Sequence, residues 1–267
     1  MQKPSSVIGV CGLCRAEGVA LCYSDLMPKA VVRWVRMSAD PKDKNPNPIF
    51  VTDKFSNPIN FRIAEHFLCP ECEDLLNRCG ETWTLHNAFR GGATFPLRDV
   101  LAQSPARVSL DKARLIDARS LSGVDLPRLI HFAIGVFWKA SARRWWALDH
   151  PTQLEFGPYE ERFRRYLLGQ QAFPERASLI VSISGNQAPH LGAIYPYGGG
   201  RLVQGPRQYR FAIPGMAFWL HVGQIPYVLR ELCAYHSGTV CLSPDLNEMF
   251  VRDMGPLVAK AKRRRAP

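Results

Sequence analysis

The sequence predicts an α+β protein with a cysteine-pinned N-terminal module over residues 1–100, then a helical stretch and an antiparallel β region over residues 101–267. Three observations carry that prediction. Two C-x-x-C pairs lie near the N-terminus with 54 residues between them, apolar residues recur at steps of three and four from Leu126, and β-branched and aromatic residues dominate after Pro174. With 267 residues and 46% hydrophobic composition the chain has ample apolar material for a packed core, which excludes disorder throughout.

The N-terminal module is read from its cysteines. The opening MQKPSSVIGVCG has one lysine and no apolar run of signal-peptide length, so a cytoplasmic protein is expected. In that reducing compartment, closely spaced cysteine pairs act as metal ligands rather than as disulfides. Cys11-Gly12-Leu13-Cys14 and Cys69-Pro70-Glu71-Cys72 supply four thiolates, the number that a tetrahedral structural zinc ion needs. Each pair is a tight turn able to point two sulfurs at one ion, and neither makes a stable site alone. Binding of Zn2+ then closes a long loop and contributes folding free energy. Cys22 and Cys79 lie close enough in sequence to compete as ligands. The expected role of these two, and of Cys233 and Cys241, is that of small buried hydrophobes.

Further along, DPKDKNPNP at 40–48 cannot be regular helix or central strand and reads as a surface loop. Residues 101–125 form a polar connector with a short strand or helix. Leu126, Leu129, Ile130, Ala133, Ile134, Phe137 and Trp138 make one helical stripe, with Pro127 acceptable in the first turn, and predict a buried helix running to about Trp146. A second helix is predicted over 159–168, where Tyr159, Phe163 and Leu167 form a stripe and Glu160/Arg164 and Glu161/Arg165 stand four apart. The longest apolar stretch, 129–138, is interrupted by His131 and covers about half the length a bilayer crossing needs, so no membrane span is expected.

After Pro174, ASLIVSIS at 177–184 and RQYRFAIPGMAFWLHVG at 207–223 read as strands of a small antiparallel sheet. Gly185-Asn186, Gly198-Gly199-Gly200 and Pro214-Gly215 supply its turns. The glycine triplet is not followed by Gly-Lys-Ser/Thr, so a hairpin turn is expected there and not a phosphate loop.

Ser24-Asp25-Leu26-Met27-Pro28-Lys29, the AVVRWVR that follows it and the LCPECEDLL at the second pair resemble the zinc modules of the His-Asn-His (HNH) nuclease group. In that treble-clef, ββα-like fold a cysteine pair precedes a β-hairpin and the second pair caps a helix. More closely, the chain resembles a bacterial HNH-like family with a cysteine pair, Ser-His, two aliphatic residues and Pro-Lys, then Leu-Cys-x-x-Cys-Glu. The resemblance covers residues 9 to about 90, is fainter over the Leu129–Arg143 helix and ends there. It implies a strand-end histidine that activates water, a helix histidine that helps hold Mg2+ or Mn2+, and hydrolysis of a DNA phosphodiester. Here those positions hold Asp25 and Glu73, which makes the implied site a degenerate one. Asp25 would bind metal or accept a proton poorly, and Glu73 would be an oxygen ligand. The middle asparagine falls on Asn57 or Asn60, and His66 is either a capping or surface residue or an added imidazole at the site.

The net charge of +11 points to an anionic partner. Residues 1–100 hold 12 basic and 11 acidic side chains, whereas 177–267 hold 10 and 4, so the charge sits toward the C-terminal half. Lys260, Lys262, Arg263, Arg264 and Arg265 form a basic tail that either grips phosphate backbones or is a solvated end. Arg143-Arg144-Trp145-Trp146 can bind phosphates and stack on bases, or can be an ordinary helix terminus with arginines on the dipole and tryptophans packed. His131, His150, His190, His221 and His236 show no nucleophile-elbow or His-Glu-x-x-His spacing. Two functions are left: a DNA-associated protein of degenerate HNH type, or a non-catalytic zinc adaptor of a mobile-element or defence system that binds protein.

Overall fold

Proline opens several of the helices, because the first turn of a helix has no use for the missing N–H. The computed structural model describes residues 7–38, 47–51, 56–60, 62–90, 94–147, 150–186, 192–201, 205–244, 246 and 248. The chain begins with β1 (Val7–Gly9), β2 (Val19–Asp25), α1 (Lys29–Ser38), β3 (Ile49–Val51), β4 (Ser56–Pro58) and β5 (Ala64–Leu68). Next α2 (Pro70–Leu76) passes through a π-helical turn at Asn77–Glu81 into α3 (Thr82–Asn87), followed by α4 (Pro96–Gln103), β6 (Val108–Leu110) and β7 (Ala113–Asp117). The long α5 (Leu126–Ala142) leads into β8 (Trp145–Ala147), β9 (His150–Thr152) and α6 (Tyr159–Leu167). The remainder is β10 (Ala177–Ser184), β11 (Ile194–Arg201), β12 (Arg207–Ile213), β13 (Met216–Val222), α7 (Tyr227–Glu231), α8 (Ala234–Ser237) and β14 (Thr239–Ser243).

Helices and sheets mix as an α+β protein requires. Among the described residues the strands form a three-stranded sheet, β1-β2-β5, a nine-stranded sheet, β4-β3-β11-β12-β13-β10-β14-β7-β6, and the small β8-β9 pair. The expected sheet after Pro174 is therefore larger and of mixed direction. The run β11-β12-β13-β10 is antiparallel, but β3 joins β11 and β14 joins β10 in parallel. Such a parallel partner needs a long connection, here β11 through α8 between β10 and β14, which no local pattern announces. Strands β3 and β4 bring residues of the first hundred into this sheet, and one hydrophobic cluster runs from Cys11 and Leu13 through Trp138 to Val240 and Leu242.

Helix α5 sits at the centre of that cluster. Asp125 caps it by accepting from the Arg128 backbone N–H, and 13 of its residues are buried. Phe132 and Phe137 meet Phe211 and Phe218 of the large sheet edge-on. The helix stops at Ala142, four residues before the predicted end, because the chain turns back to satisfy its last carbonyls. Trp145 Nε1 donates to Lys139 O, Leu154 N to Ala140 O and Gln153 Nε2 to Ser141 O. Arg143 is thus the C-cap of α5 and Trp145 packs in the core, as the terminus reading expects, while Trp145 and Trp146 also open a β-hairpin.

The glycine triplet differs from expectation too. It lies inside β11, where Gly198 has φ +123 and a β-carbon would sit 2.5 Å from Gln208 O of the neighbouring strand. Glycine is needed there for close strand approach, whereas the Pro214-Gly215 turn between β12 and β13 is where the sequence predicts it. On α6, Phe163 and Leu167 are buried as the stripe predicts. Its Glu161 takes both arginines, Arg164 and Arg165, so the Glu160/Arg164 pair is replaced. Of the predicted loop at 40–48, residues 40–46 lie outside the described residues. No helix among the described residues is long and apolar enough to cross a membrane.

Candidate metal centre

The first cysteine pair sits in the turn between β1 and β2. Cys11 N donates to Ala16 O and Arg15 N to Cys11 O, which closes the loop, and Gly12 N donates to Phe67 O of β5. Arg15 takes a left-handed φ of 67° to complete it. The second pair straddles the start of α2: Cys69 is the N-cap in extended conformation, Pro70 follows in the first turn, and Glu73 N donates to Cys69 O. Strand β5 pairs with β2 and ends at Leu68, so sheet pairing carries the second turn back onto the first.

The four sulfurs converge. All lie within 4.8 Å of one another, and Cys14 Sγ is 3.8 Å from Cys69 Sγ. A tetrahedral ion with Zn–S bonds of about 2.3 Å has S–S edges of about 3.8 Å, so the donor set and its spacing fit zinc. Cys11, Cys69 and Cys72 are buried and Cys14 is exposed. The thiols titrate apart. Burial raises that of Cys11, but N–H groups of Cys69, Cys14 and Leu13 outweigh it and hold it at about 7. Burial pushes Cys69 up to about 12 and raises Cys72 as well. Packed sulfurs of this kind resist ionising together without a cation among them.

Arg164 of α6 compensates from one side. Its side chain, 12% exposed, donates through Nη1 to Leu13 O at 2.6 Å, is gripped by Glu161, and feels the Cys14 sulfur electrostatically. Cys22 and Cys79 stand outside the sulfur group, as do Cys233 and Cys241. The last two are buried, whereas Cys22 and Cys79 are partly exposed rather than core. His66 Nδ1 donates to Leu21 O and its ring packs on Tyr23, so its bond is to backbone.

Asp25 and Glu73 are brought to one neighbourhood by a hydrogen bond between their elements. Ser24 Oγ, fully buried beside Asp25 on β2, donates to Glu73 Oε2 at 2.7 Å. Both Asp25 carboxylate oxygens accept from Arg62, each at 2.6 Å, and Asp25 O accepts from Lys139 Nζ at 2.6 Å. Lys139, on α5, is 5% exposed. Burial pushes the carboxyl of Glu81, the last residue of the π-helical turn, above the ordinary value; Lys139 opposes this, and the charges of Glu73 and Asp25 add to it. Sequence reasoning missed Ser24, Arg62, Glu81, Lys139 and Arg164. Lys139 left a trace, a single charge inside the apolar run Phe137-Trp138-Lys139-Ala140.

Of the two asparagines, Asn57 stands opposite Phe50 at the far edge of the large sheet, and Asn60 O accepts from Arg36. Arg143 is partly buried over the Phe67 ring and 3.5 Å from Glu65. Arg144 is exposed over the ring of Trp146, itself 47% exposed. Lys260, Lys262, Arg263, Arg264 and Arg265 lie outside the described residues. No protein-family model, curated protein or solved structure matches this chain.

Proposed function

We propose that this chain is a zinc-stabilised, DNA-associated protein of degenerate HNH type, its N-terminal module a treble-clef scaffold. One observation carries the reading: the Ser24–Glu73 hydrogen bond joins the strand-end position of Asp25 to the helix position of Glu73, beside four sulfurs spaced for zinc. The order of cysteine turn, β2–β5 pair and Cys69-capped helix supports the same kinship. Zinc holds the scaffold, and the contact to DNA falls to the basic C-terminal half, to the tail and to Arg144. Arg143 contributes less, since Glu65 already pairs with it. The Arg144–Trp146 pair offers a cation beside an open aromatic face, the combination that grips phosphate and stacks on an unpaired base.

A mobility-shift titration with duplex and single-stranded DNA tests the reading. Affinity should fall steeply between about 50 and 200 mM salt, and Arg144→Ala/Trp146→Ala should weaken single-strand binding. A flat salt response would remove the backbone contacts from the proposal. Plasmid incubated with Mn2+ should be bound and left uncut.

The adaptor reading has its own support. Edge strand β1 and its surroundings expose Ile8 at 60%, Val10 at 53% and Tyr23 at 58%, an apolar edge suited to pairing with a protein strand. Failure to bind DNA under any salt, together with one stable protein partner lost on Ile8→Lys, would favour it.

A further inference from the structure

A cavity of about 800 Å3 opens where α2 and the π-helical turn, the first turns of α5 and the C-terminal turn of α6 meet, and none of the four clustered cysteines lines it. That volume lies in the range of small-molecule sites. Leu75, Pro127, Leu167 and Leu168 give it apolar walls. Its polar lining has bonding capacity to spare. Arg78 spends Nε on Asp74 at 2.5 Å and Arg128 holds Nε 3.3 Å from Asp125, while the Nη nitrogens of both have no partner among the described residues. The Tyr166 ring packs edge-on against Phe173, and its hydroxyl likewise has no partner among the described residues. His131 Nε2 donates to Leu167 O, which leaves Nδ1 a buried acceptor without a donor. Cys79, a half-buried free thiol, belongs to the same wall.

We propose that this cavity binds a small organic carboxylate, its apolar body against Leu75, Leu167 and Leu168 and its head taken by the Nη groups of Arg78 and Arg128. Charge decides the head group. Each arginine is already half of an ion pair, and Asp125 itself lines the cavity, so two positive charges stand against two negative ones. A doubly charged phosphate would be opposed by those carboxylates, and an alcohol would leave the guanidinium nitrogens idle. A singly charged, planar carboxylate matches the guanidinium fork in both charge and shape. The inference goes beyond DNA association and stands without it, since none of the residues assigned to DNA lines the cavity.

The test titrates the zinc-loaded full chain with decanoate by calorimetry, with decanol, acetate and inorganic phosphate as comparisons. Cys79 reports where binding occurs. Its alkylation by iodoacetamide is followed by peptide mass spectrometry, and Cys22, equally half-buried but outside the cavity, is the internal reference. Decanoate should bind and slow alkylation of Cys79 in proportion to occupancy while Cys22 reacts as before. Decanol should bind about tenfold more weakly, and acetate and phosphate should protect nothing. Arg78→Gln and Arg128→Gln should each weaken decanoate about tenfold. The Arg78 side chain is 66% exposed, so its replacement leaves the fold intact. Absence of decanoate binding, binding that leaves Cys79 unprotected, or protection of Cys22 to the same degree would overturn the proposal. So would decanol or phosphate binding as well as decanoate, or full affinity in both arginine variants.

Discussion

Cys11, Cys69 and Cys72 have divergent proton affinities, and their chemistry sets the first prediction. Cys69 is pushed to about 12 and Cys72 upward, so zinc must displace protons to bind, and its affinity falls as pH falls. Competition with a chromophoric chelator should show a loss on the order of tenfold per pH unit for each proton released, between about pH 8 and 6. A pH-independent affinity would contradict thiolate ligation. His221 sets a second pH effect. It is 2% exposed, its Nε2 accepts from Gln208 Nε2, and burial holds its pKa at about 4. A depressed histidine contributes stability that is present above the unfolded value near 6.5 and lost as pH falls toward 4. At pH 4 that loss amounts to about 3 kcal/mol, and His221→Leu should lack this part of the acid limb in denaturant melts at matched zinc content.

At the scale of elements, a close helix crossing decides more than propensity does. The π-helical turn carries Gly80 against α5, where a β-carbon would lie 2.5 Å from Phe132 N and 3.0 Å from Arg128 O. Those are backbone atoms, which cannot step aside cheaply. Although alanine ordinarily favours a helix, Gly80→Ala should destabilise by about 1–3 kcal/mol, read as a lowered denaturation midpoint with unchanged slope. An unchanged or raised midpoint would mean that the crossing relaxes freely. Elements with strong local signals were legible: β10 spans the predicted 177–184, and α5 and α6 begin where the stripes begin. The end of α5 and the glycine triplet were not, because their fates depend on groups far along the chain. Trp145 and Leu154 cap the helix, and Gln208 O crowds Gly198.

For the whole molecule, the first cysteine turn packs into the main hydrophobic cluster. Leu13 is fully buried between two of the ligands, and Arg164 of α6 holds its carbonyl 151 residues away. Removing zinc with a strong chelator should therefore lower the melting of the entire chain in one transition, monitored together by far-ultraviolet circular dichroism and tryptophan fluorescence. Arg164→Met should move it partway and weaken zinc binding by about 10–100-fold. A biphasic melt, with the large sheet unaffected by chelation, would show the two regions to be uncoupled. The sequence by itself determined which four cysteines could hold a metal ion and the mix of helix and sheet, since residue type, spacing and apolar period are local properties of the chain. What only the tertiary structure decided was the company those residues keep. Pairing of β2 with β5 gathers the sulfurs, and Lys139 of α5 donates to the Asp25 carbonyl at the end of β2, contacts fixed by strand register and by burial across more than a hundred residues.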